Sequence, residues 1–190
     1  MKKIAVLVLV FATSFGFAQI DQNQENKKWT FGFGINSIDN NSSFNEQFLN
    51  SNKNWNNVSS LSKFSVERAL GSNFSVDAAI TYNRISKEKL QNGIAITNDL
   101  NYFALDVNGK FYFDNYISEQ SKVDAYVLAG VGIWSADDVS NQSGNLGLGF
   151  AFWIQPGLGL RLQTVGKFAA DQEQTINNHI QHSVELVFKF

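Results

Sequence analysis

The chain has 190 residues and a formal net charge of −2, with 17 Phe, 14 Gly, a single Pro and no cysteine. The absence of cysteine excludes disulfides and thiolate metal sites, and the mild acidity gives no footing for a nucleic-acid partner. Abundant aromatics and glycine with almost no proline fit strands joined by tight turns.

The first 18 residues read as a cleaved signal peptide. Lys2 and Lys3 are basic, Ile4 to Phe11 is apolar, and the small residues Gly16 and Ala18 precede the expected cut after Ala18. The stretch is shorter than the roughly 20 apolar residues a membrane helix needs. The mature chain, residues 19–190, is long enough for one domain, and losing Lys2 and Lys3 takes its charge from −2 to −4.

Eight runs with a period of two follow, the period of β-strands. In the first, Trp29, Phe31, Phe33 and Ile35 oppose Thr30, Gly32, Gly34 and Asn36. The second is less regular: Phe64 and Val66 oppose Lys63, Ser65 and Glu67, while Leu61 falls on the polar side. The third opposes Phe74, Val76, Ala78, Ile80 and Tyr82 to Ser75, Asp77, Thr81 and Asn83, and the fourth sets Phe103, Leu105 and Val107 against Tyr102, Asp106, Asn108 and Lys110. In the fifth, Val127, Val131 and Ile133 face away from Asp124, Tyr126, Gly130 and Gly132. In the sixth, Leu146, Leu148, Phe150 and Phe152 oppose Asn145, Gly147, Gly149 and Ala151. The seventh sets Leu158, Leu160 and Leu162 against Gly159, Arg161, Gln163 and Lys167. The last, ending HSVELVFKF, separates Val184, Leu186, Phe188 and Phe190 from Ser183, Glu185 and Lys189. Longer links, among them SADDVSNQS over residues 135–143, mostly alternate with shorter ones such as ALGS and QPG. Up-and-down membrane barrels show this asymmetry.

Alternation alone leaves open which face is buried. Side-chain size settles it, because the inside of an eight-stranded barrel is only wide enough to be filled by side chains. The polar face carries Gly32, Gly34, Gly130, Gly132, Gly147, Gly149, Gly159, Ala79, Ala104 and Ala151, and the bulky residues lie on the other face. The polar face also holds Lys63, Lys110, Arg161 and Lys189 against Glu67, Asp77, Asp106 and Glu185, four of each sign. The apolar phase carries charge only near strand ends, at Arg68 and Arg84. That fits the cost of about 2–4 kcal/mol for Arg or Lys at a lipid-facing midplane site, falling to about 0–1 near the interface. The fold class expected is all-β, an eight-stranded antiparallel up-and-down transmembrane β-barrel spanning residues 19–190.

The segments SSLSKFSVERALGSNFSVDAAITYNRI, YFALDVNGKFYF, DAYVLAGVGIW, GLGFAFWI and IQHSVELVFKF resemble the OmpA-like outer-membrane β-barrel family, in particular versions from Bacteroidetes-type bacteria. The resemblance implies a barrel in the outer membrane of a Gram-negative cell with both termini in the periplasm. Many relatives carry a second, peptidoglycan-binding domain after the barrel; this sequence stops at Phe190, so the barrel alone is expected. Leu186, Phe188 and the terminal Phe190 resemble the C-terminal signal read by the barrel assembly machinery.

The chemistry expected is structural. His179 and His182, three apart on a strand, point to opposite faces and cannot jointly hold a metal. Ser183 and Glu185 share the inward face with His179, four residues from Ser183, so HIQHSVE does not make a hydrolytic triad. No enzyme activity and no cofactor are expected. The interior charges Lys63, Glu67, Asp77, Asp106, Lys110, Arg161 and Glu185 are expected to pair into a plug, with Glu67 or Glu185 facing Arg161. The long first loop, with Phe44, Phe48, Leu49 and Trp55, is the candidate contact surface for an external ligand. The remaining partners expected are outer-membrane lipid and lipopolysaccharide, and the assembly machinery during insertion. The expected role is a structural or surface-interaction barrel. The alternatives are a narrow porin-like channel for small solutes and a soluble periplasmic lipocalin-like barrel that binds a ligand.

Overall fold

A computed structural model describes residues 28–39, 55–58, 60–87, 89–91, 94–113, 122–137, 139–171 and 176–190. The expected signal peptide and Phe44, Phe48 and Leu49 lie outside them. Eight long antiparallel strands form the wall: β1 (Trp29–Asp39), β2 (Lys63–Ala69), β3 (Phe74–Ile85), β4 (Leu100–Tyr112), β5 (Val123–Ala136), β6 (Val139–Gln155), β7 (Leu158–Ala169) and β8 (His179–Lys189). Each pairs with its neighbour in sequence, and β8 pairs back onto β1 from Thr30↔Lys189 to Asp39↔Ile180, closing the barrel. Closure leaves no long sheet edge, which hydrocarbon could not hydrogen-bond. Two short two-residue strands, Leu90–Gln91 and Ile94–Ala95, form a hairpin beyond the wall.

The alternation of each strand is resolved with the oily phase outward. Val131, Leu146, Phe74 and Ile133 stand more than half exposed, while Lys63, Lys110, Arg161 and Lys167 are at most 2% exposed. A protein surrounded by water does not cover its wall with contiguous apolar side chains while burying its lysines. The exterior is the lipid-facing surface of an outer-membrane-type barrel. The polarity is opposite to that of the lipocalin-like alternative, whose apolar residues would point inward.

The irregular second run has a structural cause. Trp55–Asn57 pairs with Ser37–Asp39 of β1, and Lys63–Ala69 pairs with the same edge lower down, from Gly34 to Trp29. Between the two pairings the register on β1 changes: the Val58 N–H donates to the Asn36 carbonyl at 3.4 Å and the Ser62 N–H to the Gly34 carbonyl at 2.9 Å. Ser62 and Lys63 both face inward, and Leu61 is left exposed on the outside. The extra residues break the period, as in a bulge.

The expected loop 135–143 is corrected. Ser135 and Ala136 end β5, Val139 begins β6, and Ala136 pairs with Val139 across a tight turn at Asp137. Asp137 has a φ of 47°, a left-handed conformation that Asp tolerates better than most residues. The segment reads as a loop because both its faces are polar, and strands that run past the apolar band need no lipid-facing phase.

Candidate functional site: the barrel lumen and its wall

The inward phase places side chains from all eight strands in one narrow space, and their pairing follows from register. Glu67 on β2 is the most heavily shared. Its carboxylate accepts from Arg161 Nη2 (2.6 Å), Lys110 Nζ (2.8 Å), Ser75 Oγ (2.7 Å) and Tyr112 OH (2.5 Å). Glu185 on β8 accepts from Lys63 Nζ (2.9 Å) and Ser65 Oγ (2.5 Å), and Lys63 also donates to Ser183 Oγ (2.9 Å). Asp77 lies 3.7 Å from Lys110 and accepts from Asn108 Nδ2 at 3.2 Å. Asp106 is paired with Lys167 and accepts from Asn145 Nδ2 at 2.9 Å. A buried charge is tolerated only when paired and hydrogen-bonded, and each of these four carboxylates meets a cation.

The structure therefore brings together all seven interior residues expected from the sequence, with Arg161 on Glu67 rather than on Glu185. The eighth charge is corrected. Lys189 sits at the barrel rim, its ammonium 5.6 Å from the centre of the Trp153 ring. The fourth buried cation is Lys167. Lys167 was visible in the inward phase of the seventh run, and Asp106 was the acid it had to answer. Lys189 belongs to the same phase as Glu185 but lies at the last paired position of β8, where the lumen opens.

The two ends of the lumen differ. At the turn end, Trp153 Nε1 donates to Asp124 Oδ2 at 2.7 Å. At the loop end, Ile38, Ile85, Tyr102, Trp134, Ala136, Ala169 and Ile176 converge into an apolar cluster across the mouth. His179 is set into it, its Nε2 2.8 Å from Tyr102 OH and its Nδ1 2.9 Å from the Asn177 carbonyl. Glycine makes room for these groups at one close approach in particular: a Cβ at Gly149 would overlap the Tyr126 hydroxyl, which donates to Gln163 at 2.7 Å.

On the outside, Arg68 and Arg84 occupy the strand ends. Arg68 lies over the Trp29 ring at 5.2 Å. Arg84 pairs with Asp99 at 2.8 Å, and the Lys87 N–H, followed by Arg84, holds the exposed Asp99 carboxyl below its ordinary range. His182 faces outward, as expected from its phase, but is covered. Its ring stacks on Trp55 at 4.7 Å and its Nδ1 lies 3.0 Å from Thr164 Oγ1. Ser183 and His179 engage different partners, Lys63 and Tyr102. Among the described residues no group of three or more His, Asp or Glu could hold a metal ion.

No family model matches the sequence, and no curated protein matches it. By fold the barrel is similar to the outer membrane protein OprG from Pseudomonas aeruginosa, at 9% identity over 86% of this chain and 96% of that one, with a TM-score of 0.58. It is also similar to the N-terminal β-barrel domain of OprF from the same organism (8% identity, 86% and 98% coverage, TM-score 0.54). A third similar structure is Neisserial surface protein A (15% identity, 85% and 96% coverage, TM-score 0.51). These are OmpA-like eight-stranded barrels, and at such identities the likeness is one of fold.

Proposed function

We propose that the protein is a small integral barrel of the outer membrane with a structural or surface-interaction role, a plugged polar lumen and no catalytic activity. The observation that carries the reading is the lumen itself. Four carboxylates and four cations neutralise one another across it, and the Tyr102–Trp134–Ile38–Ile85 cluster covers its loop end. An interior of this kind holds strands together and leaves little room for solute. A Bacteroidetes-type affiliation rests on the sequence resemblance alone. Contact with an external partner would fall to the loop end, and contact with lipid and lipopolysaccharide to the apolar wall.

The runner-up is a narrow porin-like channel. It is favoured by one observation: Arg161 Nη1 also reaches Ser65 Oγ at 3.5 Å, beside Glu185, so a second carboxylate stands ready if the Glu67 contact opens. Planar-bilayer recording separates the two. The plug reading expects at most rare, small openings from the wild-type protein. Large, steady openings that Arg161→Ala abolishes would replace it with the channel.

A further inference from the structure

The apolar cluster across the loop end of the lumen holds one imidazole. His179 is 3% exposed and pairs with Lys167 across the β7–β8 seam, so both side chains enter the lumen side by side. Its ring stands edge-on to Tyr102 and to Trp134, with centres 5.5 Å away in each case, and those two rings stack on each other at 6.0 Å. Tyr102 belongs to β4 and His179 to β8, on opposite sides of the eight-stranded wall. Their hydrogen bond at 2.8 Å therefore spans the mouth.

That bond depends on the protonation of the ring. The Asn177 carbonyl, 2.9 Å from Nδ1, can only accept, so Nδ1 carries the proton. Nε2 is then the acceptor for the Tyr102 hydroxyl. A proton on Nε2 turns the acceptor into a donor, and the two hydrogens face each other until the Tyr102 hydroxyl turns away. The imidazolium would also lack a counterion of its own. Among the described residues, the charged groups that face it are Lys167 on β7 and Asp106 on β4, and Tyr102 is the other titratable neighbour. Asp106 already holds Lys167 and Asn145 Nδ2, so the new charge would stand opposite an ammonium. From β1, β3 and β5 the cluster presents Ile38, Ile85, Trp134 and Ala136, and Ile176 completes it; none of these titrates. A buried charge without a partner is not retained under such cover.

We infer that the Tyr102–Trp134–His179 cluster is an acid-released lid, which bridges the loop-end mouth while His179 is neutral and opens when that ring takes a proton. The inference goes beyond the plug reading. The Glu67–Arg161 contact lies toward the turn end, where Glu67 pairs with Thr30 beside the rim. Opening the lid exposes Lys167 and Asp106 to water without breaking that contact, so planar-bilayer recording tests the plug by itself.

The test is hydrogen exchange at the indole N–H groups of the whole protein in lipid nanodiscs, between about pH 7.5 and about pH 5, the range in which histidine titrates. Rates are corrected for the intrinsic effect of pH, and Trp134 and Trp153 are assigned with Trp134→Phe and Trp153→Phe. The protection of Trp134 is expected to fall about tenfold per pH unit below about 6.5, the ordinary value for a solvated imidazole, because the open form takes the proton. Trp153, bound to Asp124 at the turn end, is expected to keep its protection. In His179→Gln, whose amide can serve both Asn177 and Tyr102 at every pH, the protection of Trp134 is expected to stay constant. Constant protection of Trp134 in the wild-type protein overturns the lid, and so does a pH-dependent loss that survives in His179→Gln. Equal losses at Trp134 and Trp153 also overturn it, since they report opening of the whole barrel.

Discussion

Glu67 and Arg161 meet at 2.6 Å across the lumen although 94 residues separate them in the chain. Both side chains are almost fully buried, and Lys110 shares the same carboxylate oxygen. Removing the acid leaves Arg161 without its ion-pair partner and Lys110 with Asp77 alone, at 3.7 Å. Glu67→Ala is expected to destabilise the barrel by about 3–5 kcal/mol, the usual loss when one partner of a buried pair is deleted. Urea unfolding in lipid vesicles measures it, and a loss below about 1 kcal/mol would mean that water already reaches Arg161.

The Asp106–Lys167 pair offers a cleaner comparison, because it has fewer shared partners than Glu67. Lys167→Met alone strands Asp106 and is expected to cost about 3–5 kcal/mol. Adding Asp106→Leu removes the stranded charge, and the double variant is expected to recover most of that loss. A double-mutant cycle by equilibrium unfolding gives the coupling; simple additivity of the two losses would show that the charges do not depend on each other.

The lipid-facing wall is tested by position. Val131 is 65% exposed at mid-height, paired with Val107 and Gly144 on its two sides. Ser140, in the outward phase of β6, lies at the loop rim, paired with Ser135. Val131→Arg is expected to cost about 2–4 kcal/mol and Ser140→Arg about 0–1. Folding titrations of the two variants in bilayers should show this gap; equal small costs would mean that the wall faces water.

Glycines of the two phases should behave oppositely. A Cβ at Gly34 would overlap the Val184 carbonyl and the Glu185 side chain, whereas one at outward-facing Gly144 would meet nothing. Gly34→Ala is expected to destabilise measurably, by about 1–3 kcal/mol as an overpacked site. Gly144→Ala is expected to stay within about 0.5 kcal/mol of the parent.

Phe190 closes the barrel seam: its N–H donates to the Trp29 carbonyl at 2.7 Å, its carbonyl accepts from Trp29 N–H at 3.1 Å, and its ring meets Phe31 edge-on at 5.9 Å. If Leu186, Phe188 and Phe190 form the address read during assembly, deleting Phe190 should lower the amount of barrel in the outer membrane more than it lowers the stability of barrel refolded in vitro. Normal membrane levels of the deletion would remove that role.

Strand phase carried most of this architecture in the sequence, since bulky residues such as Phe31, Leu148 and Leu186 cannot share a narrow interior with Gly32, Gly149 and Glu185. What the sequence hid is local. Leu61 looked out of phase because the register on β1 changes between the Ser37–Asn57 and Gly34–Lys63 pairs, and no composition marks such a change. Residues 135–143 looked like a loop because their strands leave the lipid band. Lys189 shares a phase with the interior acids, yet its height on β8 puts it at the rim; only the stagger between strands distinguishes it from Lys167. The Trp55–His182 stack was illegible for the same reason, since its members come from two separate segments that meet only when β1 and β8 close.

That closure has a kinetic side. The cross-lumen contacts Glu67–Arg161, Ser65–Glu185 and Lys63–Ser183 join residues 94 to 120 positions apart, so none can form until the two halves of the chain have met. Contacts made this late are absent from an open transition state, and interactions of that kind slow unfolding more than they speed folding. A barrel that began to unzip within the bilayer would open these paired groups toward hydrocarbon. Whatever the network contributes to equilibrium stability, it works as a latch on the closed cylinder.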